Sequence, residues 1–151
     1  KSYDNLLVFK SDSDFLPDPI SNQPTLIATP GTTASEGWKI LASLKPSNFS
    51  YERNDLKKKI STFLNKDLMK GSLWVRSRNP GDTFQPSGMK NTKKLQDFMV
   101  DSKIPRIDRD SIPLIVSNKG IAAVVGWRVA DWAIPSKGEH SLYIEFDPEK
   151  Y

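Results

Sequence analysis

Hydrophobic residues fall in short, separated groups, and their spacing predicts strands more often than helices. Leu6-Leu7-Val8-Phe9 is an apolar run after Asp4-Asn5, and the Asp-, Ser- and Pro-rich stretch from Ser11 to Pro19 reads as a loop. Thr25 to Thr29 is a second strand candidate that stops at the turn pair Pro30-Gly31; Trp38 to Leu44 is a third, closed by Pro46. Residues 54–69 are ambiguous. Leu56, Ile60, Phe63 and Leu64 stand at helical spacing, whereas Ile60 to Leu64 alone reads as a strand. Ser72 to Arg78 alternates, with Leu73 and Val75 on one face and Trp74, Arg76 and Arg78 on the other, so a strand there directs both arginines the same way.

Turn signals at Pro80-Gly81-Asp82 and Pro86-Ser87-Gly88 precede the one segment with clear helical spacing, Leu95, Phe98 and Met99. Thr92 is placed to cap this helix through its hydroxyl, and Pro105 predicts its end near Lys103. Lys93 and Lys94 then fall in the first turn, where the macrodipole disfavours cations. Such local conflicts tend to occur at functional sites, although two exposed lysines cost only about a few tenths of a kcal/mol each. Ile112 to Val116 and Gly120 to Trp127 read as a hairpin whose second strand is apolar on both faces and therefore buried. After a loop from Pro135 to His140, Ser141 to Phe146 alternates as the last strand. Six or seven strands with one main helix make the class α+β, rich in β.

The length, 151 residues, fits one domain, and 15 aromatic residues supply core area despite a hydrophobic share of 37%. No apolar run reaches the roughly 18 residues of a membrane span. The lack of cysteine removes disulfides, thiol nucleophiles and thiolate zinc sites, and a single histidine, His140, removes most histidine relays. Neither common phosphate-cradling glycine loop is present, nor a Gly-x-Ser-x-Gly elbow. Asp97, Asp101, Asp108 and Asp110 could form an acid/base or magnesium pair, but lysines beside the first two make ion pairing the simpler account. A first residue of Lys instead of Met points to a piece of something longer.

Net charge is +4, and its distribution says more than its total. Residues 66–109 hold 10 Lys and Arg against 5 acidic residues, while the flanking thirds nearly cancel. A folded face that gathered these cations would suit phosphate neutralisation; dispersed, they would be an ordinary solvated surface.

The block from Leu73 to Trp127 carries an ordered set of features: Arg76-x-Arg78-x-Pro80-Gly81-Asp82, Phe84-x-Pro86-x-Gly88-Met89, Thr92-Lys93-Lys94-Leu95, Asp97-Phe98, Asp101-x-Lys103-x-Pro105, Arg109, Ile112-Pro113 and Val125-Gly126-Trp127-Arg128. It resembles the C-terminal domain of bacterial and plastid tRNA(Ile)-lysidine synthetases, with the signature block spanning 73–128. Thr29-Pro30-Gly31 and Trp38 resemble the preceding strand and turn of that family. The resemblance implies one domain over 1–151, a β-rich sandwich related to a tRNA-synthetase β-subunit domain, with a strand at residues 60–65. It also implies that the ATP-pyrophosphatase-type catalytic half, with its ATP and magnesium, lies elsewhere, so this domain carries no cofactor and does not catalyse.

In that family the parent enzyme adenylates C2 of the wobble cytidine of an isoleucine tRNA and lysine then displaces AMP; the C-terminal domain contacts the acceptor-stem region. The residues this assigns to tRNA here are Arg76 and Arg78 on one strand face, Lys90, Lys93 and Lys94 at the turn and helix start, Lys103, Arg106 and Arg109 after the helix, and Arg128. Phe84, Met89, Trp127 and Trp132 are expected to pack. The implied partners are tRNA(Ile) and the protein's own catalytic domain, with a homodimer possible and no membrane; the implied location is bacterial cytoplasm or plastid stroma. The contrasting readings are a protein-interaction or dimerisation module, and a metal-dependent hydrolase using the aspartates.

Overall fold

The computed structural model describes residues 23–35, 37–46, 59–136 and 140–148. The strand expected at Leu6 to Phe9 lies outside them. The chain folds as two antiparallel sheets packed face to face. One holds β1 (Thr25–Ile27), β5 (Leu73–Arg76), β8 (Leu114–Ser117), β9 (Gly120–Val124) and β10 (Arg128–Val129), paired in that order. The other runs β2 (Gly31–Ser35), β3 (Trp38–Pro46), β11 (His140–Pro148), β4 (Ile60–Leu64). A two-stranded ribbon of β6 (Thr83–Phe84) and β7 (Lys93–Lys94) leads into the one α-helix among the described residues, α1 (Leu95–Asp101). This is the β-rich α+β sandwich expected from the sequence. No helix among the described residues is long and apolar enough to cross a membrane.

Alternation builds the core. Trp38, Ile40 and Ala42 of β3, Leu142, Ile144 and Phe146 of β11, and Ile60, Thr62 and Leu64 of β4 face inward and are buried. Leu73 and Val75 of β5 meet them from the other sheet together with β8 and β9, whose Ile121 to Val125 are all buried, as the two-faced apolar run predicted. Trp38 and Phe146 contact edge to face, 5.9 Å between centroids. On the outer face of the four-stranded sheet Phe63 packs on Tyr143 at 4.9 Å, with the Lys45 ammonium 4.3 Å from the Tyr143 ring. Burial raises the Tyr143 phenol above its ordinary value; a hydrogen bond with Ser61 opposes this, and the nearby Glu145 carboxylate adds to it.

The chain crosses between the sheets at Pro30-Gly31. Gly31 has φ +147°, and a Cβ there would stand 2.9 Å from the Ala28 Cβ, so the corner needs glycine. The strand that follows, β2, was not expected: GTTAS has no large apolar residue, and it forms the half-exposed edge of its sheet.

Residues 60–64 form the strand that the family resemblance implies; the helical spacing of Phe63 arises because this side chain packs on the outer face, opposite Tyr143. The expected helix start is corrected: the helix begins at Leu95, and Thr92 does not cap it. Lys94 is the N-cap, in extended conformation and without a side-chain cap bond. The reason is tertiary: pairing of Thr83 with Lys94 and of Phe84 with Lys93 keeps the chain extended. Both lysines therefore precede the first turn, and Lys94, as the N-cap, still stands at the positive end of the helix. The helix ends at Asp101, with the Ile104 N–H donating to the Met99 carbonyl and Lys103 at φ +58°. That left-handed position usually takes glycine.

Candidate nucleic-acid interface

The signature segment after β5 is a turn held from three sides. Pro80 and Gly81, the latter at φ +85°, form the corner, and the Asp82 N–H donates to the Asn79 carbonyl at 3.2 Å. The Asp82 carboxylate then accepts from the Asn79 N–H at 2.7 Å and from both terminal nitrogens of Arg76, at 2.9 and 3.0 Å. Arg76 also donates to the Ser77 carbonyl. Both charged side chains are nearly enclosed, 12% and 13% exposed, so Arg76 is committed to shaping the turn. The turn is joined to the helix by the Leu95 N–H, which donates to the Asp82 carbonyl at 2.9 Å.

Arg78, two residues past the end of β5, has a different neighbourhood. Its Nε donates to the Asp110 Oδ1 at 2.8 Å; the pair is more open than Arg76–Asp82, with Arg78 26% and Asp110 62% exposed. Between the turn and the start of α1 lies a cleft of about 540 Å³ whose walls include Arg78, Gly81, Thr83, Lys94, Gln96 and Asp110. Two sequence-predicted cations, Arg78 and Lys94, thus line one cleft, together with the carboxylates Asp82 and Asp110.

The other candidates are disposed around this centre. Lys93 of β7 is half-buried and donates to Asp101 at the far end of α1, the lysine pairing expected for that aspartate. Lys90 is exposed in the β6–β7 connection, which is tethered by Gln85 donating to the Met89 and Lys90 carbonyls and by the Gly88 N–H donating to Asp131. Lys103 is exposed just past α1, which at seven residues is only about 10 Å long. Arg106 and Arg109 lie on a 3-10 turn, Arg106–Ser111, that the Arg78–Asp110 pair fastens to the cleft. Arg106 is exposed, whereas Arg109 is partly buried and donates to the Ile104 carbonyl at 3.1 Å. Arg128 is exposed on β10, its guanidinium 5.8 Å from the Phe98 ring of α1. Of the set, Arg78 and Lys94 line the cleft, Lys90 and Lys93 belong to the ribbon and its loop, and Lys103, Arg106 and Arg109 follow α1 in the chain.

Of the aromatic and sulfur residues expected to pack, Phe84 is buried against Phe98 and the two indoles Trp127 and Trp132 pack partly on the core. Met89 does not: it is 40% exposed on the ribbon loop. Sequence reasoning singled out Asp110 only as a possible acid, and missed it as the partner of Arg78. The two are 32 residues apart, and no local spacing announces the pair. Among the described residues no group of three or more His, Asp or Glu could hold a metal ion.

Comparison with known proteins places this arrangement. Residues 73–146 match the family model described as the TilS substrate C-terminal domain. The tRNA(Ile)-lysidine synthase of Caldanaerobacter subterraneus subsp. tengcongensis is 43% identical over 88 residues, 58% of this chain and 19% of the relative. That of Dehalococcoides mccartyi is 35% identical over 115 residues, 76% of this chain and 24% of the relative. The chain thus spans a quarter or less of the length of these curated relatives. A solved structure titled "Crystal structure of TILS C-terminal domain" superposes with a TM-score of 0.60 at 20% identity, covering 85% of this chain and 100% of that one, and agrees in fold. Through residues 73–146, which contain the turn, the cleft and α1, the chain belongs to the TilS substrate C-terminal domain family.

Proposed function

We propose that this chain is the tRNA-binding C-terminal domain of a tRNA(Ile)-lysidine synthetase. It holds tRNA(Ile), through the acceptor-stem region, while a separate catalytic half ligates lysine to C2 of the wobble cytidine at the expense of ATP. ATP and magnesium belong to that half, and the domain itself is non-catalytic. Its location follows the parent's, bacterial cytoplasm or plastid stroma. The observation that carries the reading is that Arg78 and Lys94 both line one cleft built from the family signature, with Lys90, Lys103 and Arg106 exposed on nearby segments. Duplex RNA is recognised chiefly through its shape, phosphates and 2′-hydroxyls, which calls for cations spread over a face more than for a deep pocket.

Charge reversal tests this directly. Lys90→Glu and Lys94→Glu both change exposed side chains outside the core. Together they should weaken binding of an isoleucine tRNA at least tenfold and leave the thermal midpoint within about 4 °C, since each surface change stays within about 0.5 kcal/mol. Unchanged affinity would move the basic face to a protein partner, such as the catalytic domain or a second copy.

A further inference from the structure

The two Arg–Asp pairs flanking the cleft are chemically alike and differently built. Arg76 and Asp82 are nearly enclosed and joined by two bonds, with a backbone donor occupying Asp82 as well. Arg78 and Asp110 share one bond, Nε to Oδ1, and the carboxylate is 62% exposed. Neither the other Asp110 oxygen nor the terminal nitrogens of Arg78 are engaged elsewhere among the described residues. A guanidinium donates to a carboxylate and to a phosphate through the same planar fork, so a carboxylate held by one exposed bond is a replaceable occupant.

We propose that the cleft between the Asn79–Asp82 turn and the start of α1 is a seat for one phosphodiester group of an RNA backbone, and that Asp110 occupies Arg78 until the phosphate displaces it. This rests on the RNA-binding reading and makes it specific. Arg78 supplies the fork, Lys94 the second positive charge across the cleft, and Arg76 holds the turn by neutralising Asp82, which would otherwise repel the phosphate. Asp110 lies on the Arg106–Ser111 turn, so its release also frees that turn from Arg78, leaving the exposed Arg106 able to adjust to the same strand. In the free protein the pair keeps Arg78 from attracting other anions; an RNA that brings several phosphates at once overcomes it.

The test is a double-mutant cycle on the full 151-residue chain, with an RNA minihelix of the isoleucine acceptor arm as probe, at several salt concentrations. Removing a net-repulsive carboxylate has the opposite sign from removing a structural one. Asp110→Asn should bind about two- to fivefold tighter, the scale of one exposed ion pair. Its log K should also fall more steeply with log salt, by up to about 0.9 for one more uncompensated phosphate contact. Arg78→Ala should bind more weakly, and Arg78→Ala/Asp110→Asn no tighter than Arg78→Ala. Asp97→Asn, an equal charge change on α1 outside the cleft lining, should give less than half the gain; Arg78→Lys guards against a folding defect. Asp110→Asn binding that is unchanged or weaker, or a gain that survives without Arg78, overturns the exchange while leaving RNA binding intact. Absence of minihelix binding by the unsubstituted chain overturns the functional reading and the seat together.

Discussion

The enclosed Arg76–Asp82 pair makes the sharpest energetic prediction. Asp82→Ala removes a carboxylate that receives three hydrogen bonds, two from Arg76 and one from the Asn79 N–H, in a setting where both side chains are about one-eighth exposed. Deleting one member of a buried pair costs about 3–5 kcal/mol because the other charge is stranded. The residual exposure of both groups places this pair at the lower end, near 3 kcal/mol. For a domain of this size that is a fall of about 6–12 °C in Tm, measurable by urea or thermal unfolding followed through tryptophan fluorescence. Arg76→Ala should cost a similar amount. The double variant should cost about 2–3 kcal/mol less than the sum, because no charge is then stranded. The same cycle at Arg78 and Asp110 should give less than about 1 kcal/mol in every corner, as solvent-exposed pairs do. A loss under about 1 kcal/mol for Asp82→Ala, or additivity in the double variant, would refute the assignment of Arg76 to the turn and return it to the RNA-contacting set.

Other expectations follow from single features. Lys103 holds a left-handed backbone at φ +58°, so Lys103→Gly should stabilise the domain by up to about 1 kcal/mol in urea unfolding while weakening RNA binding through the lost charge. Trp38→Ala empties a fully buried site against Phe146 and should cost about 3–5 kcal/mol, read from the same unfolding curves. The Tyr143 phenol, raised chiefly by burial, keeps its proton in the folded state at pH values where the unfolded chain loses it. Its contribution is therefore complete below about pH 10 and declines as pH rises further, and Tyr143→Phe should flatten that alkaline fall.

What was legible in the sequence divides along physical lines. Strands whose apolar residues alternate, such as Trp38-Ile40-Ala42 and Leu142-Ile144-Phe146, announce both their type and their inward face, because burial on one side of a pleated strand imposes the period. The strand Gly31–Ser35 announces neither, since an edge position demands no large side chain. The start of α1 shifted because Lys93 and Lys94 were recruited into a ribbon by Phe84 and Thr83, a pairing no capping rule contains. The candidate site shows the same limit. Alternation over Ser72 to Arg78 predicted a shared face for Arg76 and Arg78, but the strand ends at Arg76; one guanidinium is sealed by Asp82, six residues on, and the other pairs with Asp110, 32 residues away. Family motifs mix residues that shape a site with residues that use it, and only the partner of each side chain separates the two.

The most direct test of the account is binding of this chain to a full isoleucine tRNA and to a minihelix of its acceptor arm at two salt concentrations. The account predicts binding of both, with affinity falling steeply as salt rises, because each neutralised phosphate releases condensed cations. Absence of binding to either RNA at low salt would contradict it and leave the basic face to a protein partner.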